Sequence, residues 1–294
     1  MIVTRFAPSP TGGLHRGHAW SAILAHDRAR AGGGRFELRI EDIDGTRSRP
    51  DHVATILADL AWLGLQWDSL SFQSARLDQY RTALAHLRTR GLLYPCFCTR
   101  ADIAREVAAS MSAPHGPDGP PYPGVCRALS AGERTHRLAS APHAWRLDMA
   151  AAIDQAGQLI WTDERAGAIT ALPEQAGDVV LARKDAPASY HLAVTVDDAA
   201  QGITHVIRGA DLFGATHVHR LLQALLDLPT PVYHHHPLIT DAAGQRLAKR
   251  SGAPMLAHLR MAGIDGRGFA AQLRTDMGLD PPLARTPETL KEGS

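Results

Sequence analysis

The chain has 294 residues, of which 45% are hydrophobic and 21% charged, a balance typical of a globular protein with a sizeable core. The net charge of +1 excludes a broad basic surface, so any contact with nucleic acid is expected to be local. No apolar run approaches the roughly 20 residues that cross a bilayer, and neither a membrane span nor a signal peptide is expected. The three cysteines, an odd number, argue against a disulfide framework and predict a cytoplasmic protein.

The first stretch with a chemical pattern is TRFAPSPTGGLHRGH, at positions 4–18. A β-prone run ends at Pro8 and Pro10, because proline donates no hydrogen bond to a strand, and a helical pattern follows two glycines from about Leu14. The start of a helix after such a turn is a site for phosphate. His15 and His18 are three residues apart, so they share one face and can donate to phosphate oxygens. The alternatives are an ordinary strand-to-helix connection, two surface histidines, or part of a metal site.

A second cationic stretch, QRLAKRSGA at 245–253, follows a predicted hairpin far downstream. It contains Lys249, one of only three lysines in the chain. A lysine on such a loop acts as a point charge that can neutralise a phosphate as it leaves. The two stretches are therefore expected to act on the same ligand.

Together these stretches resemble the two signatures of class I aminoacyl-tRNA synthetases, HRGH at 15–18 and RLAKRS at 246–251, while RFAPSPTG at 5–12 resembles the glutamyl branch. The resemblance covers about residues 1–255 and implies an α/β fold built on a Rossmann-like parallel sheet. It implies that the catalytic residues are His15, His18 and Lys249. It also implies an ATP site formed by Pro8, Gly17, His18, Leu247 and Lys249.

Acidic side chains follow the next predicted strand, RFELRI at 35–40. Glu41 comes directly after it, at the strand end where ligands bind in parallel sheets. Asp42 and Asp44 are expected to support the site or to cap the following segment. Arg5 and Arg208 lie at or near strand ends, where a guanidinium can bind both oxygens of a carboxylate. The alternative for each is an ordinary surface arginine.

Three stretches, IEDIDGTRS, LARKDAPASYHLAVTVDD and GITHVIRGADL, also resemble glutamyl synthetases. The resemblance implies a glutamate pocket lined by Arg5, Ala7, Ser9, Glu41, Tyr190 and Arg208. The tract HHH at 234–236 lies in a predicted strand, and it is interpreted as structural or near the nucleotide rather than as a metal site.

All three cysteines, Cys96, Cys98 and Cys126, fall within 31 residues. Thiolates grouped in this way are more often metal ligands than bystanders, and zinc takes four ligands in a tetrahedron. His115 or Asp118 would be an ordinary fourth ligand on chemical grounds. Three thiols without a metal are the alternative.

The spacing Cys-x-Cys followed by Tyr-x-x-x-Cys is similar to the zinc site of glutamyl-queuosine tRNA(Asp) synthetases. That resemblance implies Tyr122 as the fourth ligand and one structural zinc ion per chain. The zinc ion is expected to clamp a proline-rich loop that cannot fold through a core of its own.

The expected organisation is a catalytic domain, 1–254, whose halves 1–93 and 168–254 are separated by a zinc-bearing, acceptor-type insert, 94–167. A short helical tail, 255–294, follows. Only 43 residues remain after Ser251, so no anticodon-binding domain is expected.

A shortened chain with this insert resembles glutamyl-Q tRNA(Asp) synthetases. The resemblance implies activation of L-glutamate with ATP and magnesium, without RNA, and transfer of glutamate to the queuosine base of tRNA(Asp). A monomer is expected. The alternatives are a shortened glutamyl- or glutaminyl-tRNA synthetase that charges a 3′ end, a small-molecule nucleotidylyltransferase, and a binding module without activity.

Overall fold

The structure is a computed structural model, and it describes residues 1–45, 48–99, 101–103, 122–183, 185–239 and 254–278. The amino-terminal half forms a parallel sheet in the order β1-β2-β3, with strands β1 (Val3–Phe6), β2 (Arg35–Ile40) and β3 (Ser69–Phe72). Two helices, α1 (Arg16–Ala31) and α2 (Pro50–Trp62), connect these strands in turn. This β-α-β alternation is the pattern of a parallel sheet covered by helices.

A second sheet has the order β7-β6-β10-β9, with strands β6 (Ile160–Asp163), β7 (Gly167–Thr170), β9 (His205–Gly209) and β10 (Val232–His236). Its central strand β10 runs parallel to both β6 and β9, whereas β7 is antiparallel to β6. The N–H of Thr204 donates to the carbonyl of Val3 at 2.9 Å, so β9 begins beside β1 and the two sheets adjoin.

A third, antiparallel sheet has the order β4-β5-β8, with strands β4 (Leu93–Cys96), β5 (Ala144–Leu147) and β8 (Val180–Ala182). The remaining helices are α3 (Leu77–Thr89), α4 (Ala131–Leu138), α5 (Met149–Ala156), α6 (Tyr190–Ala200), α7 (Phe213–Leu225), α8 (Leu256–Met261) and α9 (Gly266–Asp276). Short 3₁₀ turns occupy Gln73–Arg76, Val125–Ala128, Pro173–Ala176 and Ala210–Leu212.

Helix α1 is held against the first sheet by an apolar core. Trp20 and Ile23 on the helix pack with Phe36 and Leu38 on β2, and all four side chains are buried. Burying an apolar side chain of this size stabilises a fold by roughly 1.5–3 kcal/mol. The first turn of α1 is therefore fixed at the end of β1, which is where the sequence places the two histidines.

The fold class predicted from the sequence, an α/β protein with a parallel sheet, is confirmed. The predicted domain boundaries and the zinc-bearing character of the insert stay predictions, as does the expected lack of an anticodon-binding domain. Strands β6 and β7, which the predicted boundaries place mainly in the insert, belong to the same sheet as the catalytic-half strands β9 and β10. Within the described ranges, no helix is long and apolar enough to cross a membrane.

Candidate active site

A cavity of about 360 Å³ opens at the carboxyl ends of four parallel strands. Ala7 and Ser9 follow β1, Glu41 follows β2, Gly209 ends β9 and Leu238 follows β10. This is the edge at which ligands bind in open parallel sheets. The residues predicted for catalysis, glutamate binding or ATP binding that line the cavity are Arg5, Ala7, Ser9, His15, Gly17, His18, Glu41, Tyr190 and Arg208.

Of the predicted residues that the structure describes, Pro8 does not line this cavity. Pro8 is buried, and its carbonyl accepts the backbone N–H of Glu41 at 3.1 Å, so it fixes the path of the chain at that carboxylate. Leu247 and Lys249 lie outside the described residues. Their roles stay predictions.

The described residues on either side of the second signature both lie at the cavity or beside it. Ile239, the last described residue before the signature, lines the cavity. Met255, the second described residue after it, forms a β-bridge with His15. The N–H of Leu256 also donates to the carbonyl of Leu14 at 2.8 Å. The described residues that flank the second signature, Ile239 and Met255, therefore lie at the cavity and beside His15, respectively.

The two histidines of the first signature form the amino-terminal cap of α1. The N–H of Gly17 donates to Nδ1 of His15 at 3.1 Å, and the N–H of His15 donates to Nδ1 of His18 at 3.2 Å. The ring centroids are 3.8 Å apart. Because each Nδ1 accepts a hydrogen bond, the neutral form of each ring carries its proton on Nε2. The helix start thus presents two imidazole donors in addition to its own dipole.

Arg208 is buried at one end of the cavity and donates to neutral groups. Its Nε donates to Nε2 of His235 at 3.1 Å, and one terminal nitrogen donates to Thr216 Oγ1 at 2.6 Å. The other terminal nitrogen donates to Tyr190 Oη at 3.2 Å and to Nδ1 of His219 at 3.3 Å. Among the described residues, no carboxylate lies within 4.0 Å of this guanidinium. A buried cation without an adjacent anion is costly, so this end of the cavity favours an anionic ligand.

Asp163 acts on Arg208 through an imidazole. Oδ2 of Asp163 lies 2.8 Å from Nδ1 of His235. Since Arg208 can only donate, Nε2 of His235 must accept, and a neutral His235 therefore donates from Nδ1 to Asp163. Burial, with Arg208 adding to it, lowers the pKa of His235 to about 4, so the ring is neutral at physiological pH. The negative charge of Asp163 is thus held one imidazole away from Arg208.

The charge of Arg5, in contrast, is balanced directly. Its Nε lies 3.0 Å from one oxygen of Asp198, and Nη2 lies 3.3 Å from the other. Arg39, fully buried, contacts the same carboxylate at 2.9 Å. Burial alone would raise the pKa of Asp198, but the two arginines outweigh it and hold the pKa below its usual value.

Glu41 lies on the cavity wall near this charged group, 3.9 Å from Arg39. Burial raises the pKa of Glu41 to about 7, although Arg39 and Arg5 both act to lower it. A carboxyl group with a pKa near neutrality binds an ammonium group in a pH-dependent way. Asp42, expected to support the site or to cap the following segment, instead accepts from the N–H and hydroxyl of Ser74, in the distant 3₁₀ turn that follows β3.

Most residues that support the two arginines were not predicted from the sequence. All four supporting residues are buried. Asp198 and Asp163 are far in sequence from Arg5 and Arg208, whereas Thr216 and His219 lie on α7, which follows β9 and its Arg208. The sequence carried one signal, because two consecutive aspartates at 197–198 interrupt an apolar helical pattern, and a buried carboxylate requires a cationic partner. The interpretation of the histidine tract as structural matches the position of His235 in β10.

The cysteines predicted to bind metal lie together beside β4. The ligand atoms of Cys96, Cys98 and Cys126 are all within 4.8 Å of one another. The sulfur of Cys98 is 3.5 Å from that of Cys126 and 3.4 Å from the hydroxyl of Tyr122. Zinc–sulfur bonds of about 2.3 Å in a tetrahedron place sulfurs roughly 3.8 Å apart, so the donor set fits zinc. His115, one of the alternative fourth ligands, lies outside the described residues, as does Asp118.

Comparison with known proteins agrees with this geometry. Residues 1–270 match the family described as tRNA synthetases class I (E and Q), catalytic domain. The chain belongs to this family of class I aminoacyl-tRNA synthetases.

Within the family, the chain is 51% identical to a glutamyl-Q tRNA(Asp) synthetase of Rhodobacter capsulatus, over 95% of this chain and 100% of the relative. It is 44% identical to a glutamyl-Q tRNA(Asp) synthetase of Symbiobacterium thermophilum, over 99% of this chain and 91% of the relative. A glutamate tRNA ligase from Elizabethkingia meningosepticum, solved in complex with its amino acid, superposes with a TM-score of 0.72 at 27% identity, over 86% of this chain. The chain spans 54% of the length of that ligase.

Replacing Asp163 by asparagine tests the link between the carboxylate and Arg208. The amide oxygen of asparagine can still accept from Nδ1 of His235, and Arg208 still requires Nε2 as an acceptor, so the variant removes the negative charge but keeps the tautomer. We expect the proton of His235 to lie on Nδ1 in both the wild-type protein and Asp163→Asn, as read by long-range ¹H–¹⁵N NMR. The free energy of unfolding should fall by about 1–3 kcal/mol, because a buried charge loses its partner.

The matched control is Glu164→Gln, which removes the neighbouring charge. Glu164 pairs with Arg28 and His234 rather than with His235. It should leave the tautomer of His235 unchanged. A proton on Nε2 of His235 in the wild-type protein, or an equal loss of stability in both variants, would contradict the coupling.

Proposed function

We propose that this synthetase activates L-glutamate with ATP in the absence of RNA and transfers the glutamyl group to the queuosine base of tRNA(Asp). The observation that carries the amino-acid part is the buried guanidinium of Arg208, which has no carboxylate beside it among the described residues. The proposed RNA substrate is supported by two relatives that align over 95% and 99% of this chain. Both are glutamyl-Q tRNA(Asp) synthetases, at 51% and 44% identity.

Glutamate carries two carboxylates and an ammonium group, and the cavity offers matching charges. The side-chain carboxylate is assigned to Arg208 and the hydroxyl of Tyr190, which together form one end of the cavity. The ammonium group is assigned to Glu41. Arg5 donates to Asp198 from Nε and from one N–H of Nη2. Its remaining terminal N–H groups can therefore still donate to the substrate. Ala7 and Ser9 complete the wall.

ATP is assigned to the start of α1, where the phosphates meet helix N–H groups and the imidazoles of His15 and His18. Gly17 and Leu247 are further proposed ATP contacts, and Pro8 would act through the backbone beside them. Lys249 is proposed to reach the phosphates, which is supported by the position of Ile239 at the cavity and of Met255 beside His15. Magnesium would enter with the nucleotide.

The first step is attack of the α-carboxylate of glutamate on the α-phosphorus of ATP. A bond from carboxylate oxygen to phosphorus forms, the bond to the bridging oxygen breaks, and pyrophosphate leaves. His15, His18 and Lys249 would stabilise the negative charge that develops on the phosphates, so the protein acts by positioning and electrostatics. In the second step a hydroxyl of the queuosine ring attacks the activated carbonyl, and AMP leaves with the proton transferred to solvent.

Zinc is proposed as a structural ion held by Cys96, Cys98, Tyr122 and Cys126. The sulfur spacing and the donor types support it. The guanidinium of Arg146 stacks 3.9 Å from the ring of Tyr122, which fixes the orientation of that ring. When bound, the ion would cross-link β4 to the segment that carries Cys126. We also propose that the protein is a monomer located in the cytoplasm.

An exchange assay tests the function. The protein should catalyse ATP–pyrophosphate exchange with glutamate and without RNA, and the other amino acids should give little exchange. Labelled glutamate should then pass to tRNA(Asp) that carries queuosine but not to the same tRNA without it. Labelling of a 3′ end, or equal labelling of both tRNA(Asp) forms, would favour the shortened glutamyl- or glutaminyl-tRNA synthetase. Exchange that needs no amino acid would favour a nucleotidylyltransferase.

The raised pKa of Glu41 predicts a pH dependence of glutamate binding. Because the pKa is about 7, the carboxyl group is protonated below that pH and cannot balance an ammonium group. We expect the affinity for glutamate to fall by up to about tenfold per pH unit below 7 and to level off above it. Calorimetry in buffers of different ionisation enthalpy should show proton release on binding near pH 7. Affinity that is constant from pH 6 to 8 would remove Glu41 from the ammonium site.

Metal analysis tests the zinc site. Purified protein should contain about one zinc ion per chain, and Cys126→Ser should lose it. Tyr122→Phe removes only the hydroxyl, so it should weaken zinc in a chelator competition if Tyr122 is the fourth ligand. His115→Ala and Asp118→Ala are the matched controls for that position. If Tyr122→Phe kept all of its zinc and either control lost it, the residue replaced in that control would be the fourth ligand instead of Tyr122.

A further inference from the structure

A row of alternating cationic and aromatic side chains crosses the antiparallel sheet β4-β5-β8. Trp145 and His143 are two residues apart on and just before β5, so they lie on the same face. Pro95 on β4 pairs with Trp145, and the register therefore brings Phe97, two residues further along, opposite His143. Arg88, near the end of α3, and Arg137, near the end of α4, stand at the two ends. We call the row of Arg88, Trp145, His143, Phe97 and Arg137 the Arg–aromatic strip.

The members of the Arg–aromatic strip follow one another at aromatic-contact distances, and its rings meet edge to face, with interplanar angles of 87° for His143 and Trp145 and 61° for Phe97 and His143. The guanidinium carbon of Arg88 lies 5.1 Å from the ring centroid of Trp145, and that ring lies 5.2 Å from His143. His143 lies 5.9 Å from Phe97, and the guanidinium carbon of Arg137 lies 5.9 Å from Phe97. The three rings are half-buried and both arginines are exposed. The row is therefore open to solvent along its length.

The two arginines of the Arg–aromatic strip form no close ion pair with a described residue, although Glu133, one turn before Arg137 on α4, is near enough to interact with its charge. Among the described residues, neither Arg88 nor Arg137 has a carboxylate within 4.0 Å. A cleft of about 190 Å³ at the Arg88 end is lined by Arg81, Leu84, Ala85, Arg88, Leu93 and Trp145, with no acidic residue among them. The row thus combines flat apolar rings with positive charge, in a chain whose overall net charge is only +1.

We propose that the Arg–aromatic strip binds unstacked bases of the RNA loop that presents the acceptor nucleoside. Bases in loops stack on aromatic rings and on arginine planes, and their phosphates pair with the same arginines. The proposal relies on the proposed function for the identity of the RNA, but not for the existence of the surface.

The position of the sheet suits this role. β8, in the same sheet as β5, ends at Ala182, and the chain then reaches Tyr190, which lines the active-site cavity. Phe97 lies between Cys96 and Cys98, so the cysteine cluster fixes one ring of the strip. An RNA loop on the strip would be anchored to an element that continues directly into the catalytic cavity.

The test measures the affinity of the full chain for the stem-loop of tRNA(Asp) that carries queuosine, by fluorescence anisotropy. Arg88→Ala and Arg137→Ala should each weaken binding about fivefold or more, and each should reduce the slope of log affinity against log salt by about 0.7. Trp145→Leu should weaken binding about tenfold, whereas Trp145→Phe, which keeps a ring, should stay within about threefold of wild type. Arg88→Lys separates stacking from charge and should recover only part of the loss.

Arg267→Ala is the matched control, because Arg267 is exposed on α9, away from the strip. It should bind the stem-loop as the wild-type protein does. RNA-independent exchange with glutamate should be unchanged in every strip variant, because the strip lies outside the cavity. If the wild-type protein itself showed no exchange, that result would contradict the proposed function but not the RNA-binding role of the strip. Three results would contradict the strip as an RNA site. The first is wild-type affinity in Arg88→Ala and Trp145→Leu, and the second is a loss of affinity in Arg267→Ala as large as in the strip variants. The third is displacement of the RNA by polyglutamate more strongly than by unlabelled RNA.

Discussion

The cavity depends on a buried positive charge that the described protein leaves without an adjacent counterion. Arg208 donates to His235, Thr216, Tyr190 and His219, and all four acceptors are neutral groups. Burial lowers the pKa of His219 well below its usual value, with Arg208 adding to the effect. The acceptors therefore hold the guanidinium in place and stay neutral at physiological pH. A ligand carboxylate would meet a cation whose charge is still available.

Folding such a cation without compensation would be expensive, and Asp163 reduces the cost from a distance. Its carboxylate bonds to His235 rather than to Arg208, so it stabilises the buried charge without taking up the cavity beside the guanidinium. Arg5 and Arg39 show the other solution, because Asp198 contacts both directly. The cavity thus has one end whose charge is balanced within the protein and one end whose charge calls for a ligand. Glu41, with its pKa raised to about 7, stands near the balanced end.

Much of this could be predicted from the sequence, and the parts that could not have a common cause. The strand–turn–helix order of the first signature is a local property, and α1 was expected from about residue 14, close to its observed start at Arg16. The cysteines were close enough in sequence to be read as a group. Glu41 and Arg208 were placed by their positions at strand ends, a rule that needs only the order of elements.

The partners of the arginines follow no such rule. Asp198 is separated from Arg5 by 193 positions, and Asp163 from His235 by 72. Hydrophobic periodicity places each of these residues on a helix or strand but says nothing about which distant side chain it meets. The Arg–aromatic strip was missed for the same reason, because the register between β4 and β5 and the positions of α3 and α4 bring its members together.

The most direct measurement of the central claim compares glutamate with glutamine, which has the same shape but a neutral side chain. Calorimetric titration of the wild-type protein at pH 8, where Glu41 is ionised, should give an affinity for glutamate at least about 30-fold higher than for glutamine. The difference arises because the guanidinium of Arg208 has no adjacent counterion among the described residues. Its hydrogen bonds to the charged carboxylate of glutamate are therefore much stronger than its hydrogen bonds to the neutral amide of glutamine. Equal affinities for the two amino acids would show that Arg208 does not act as the anion-binding group and that the cavity does not select its ligand by charge.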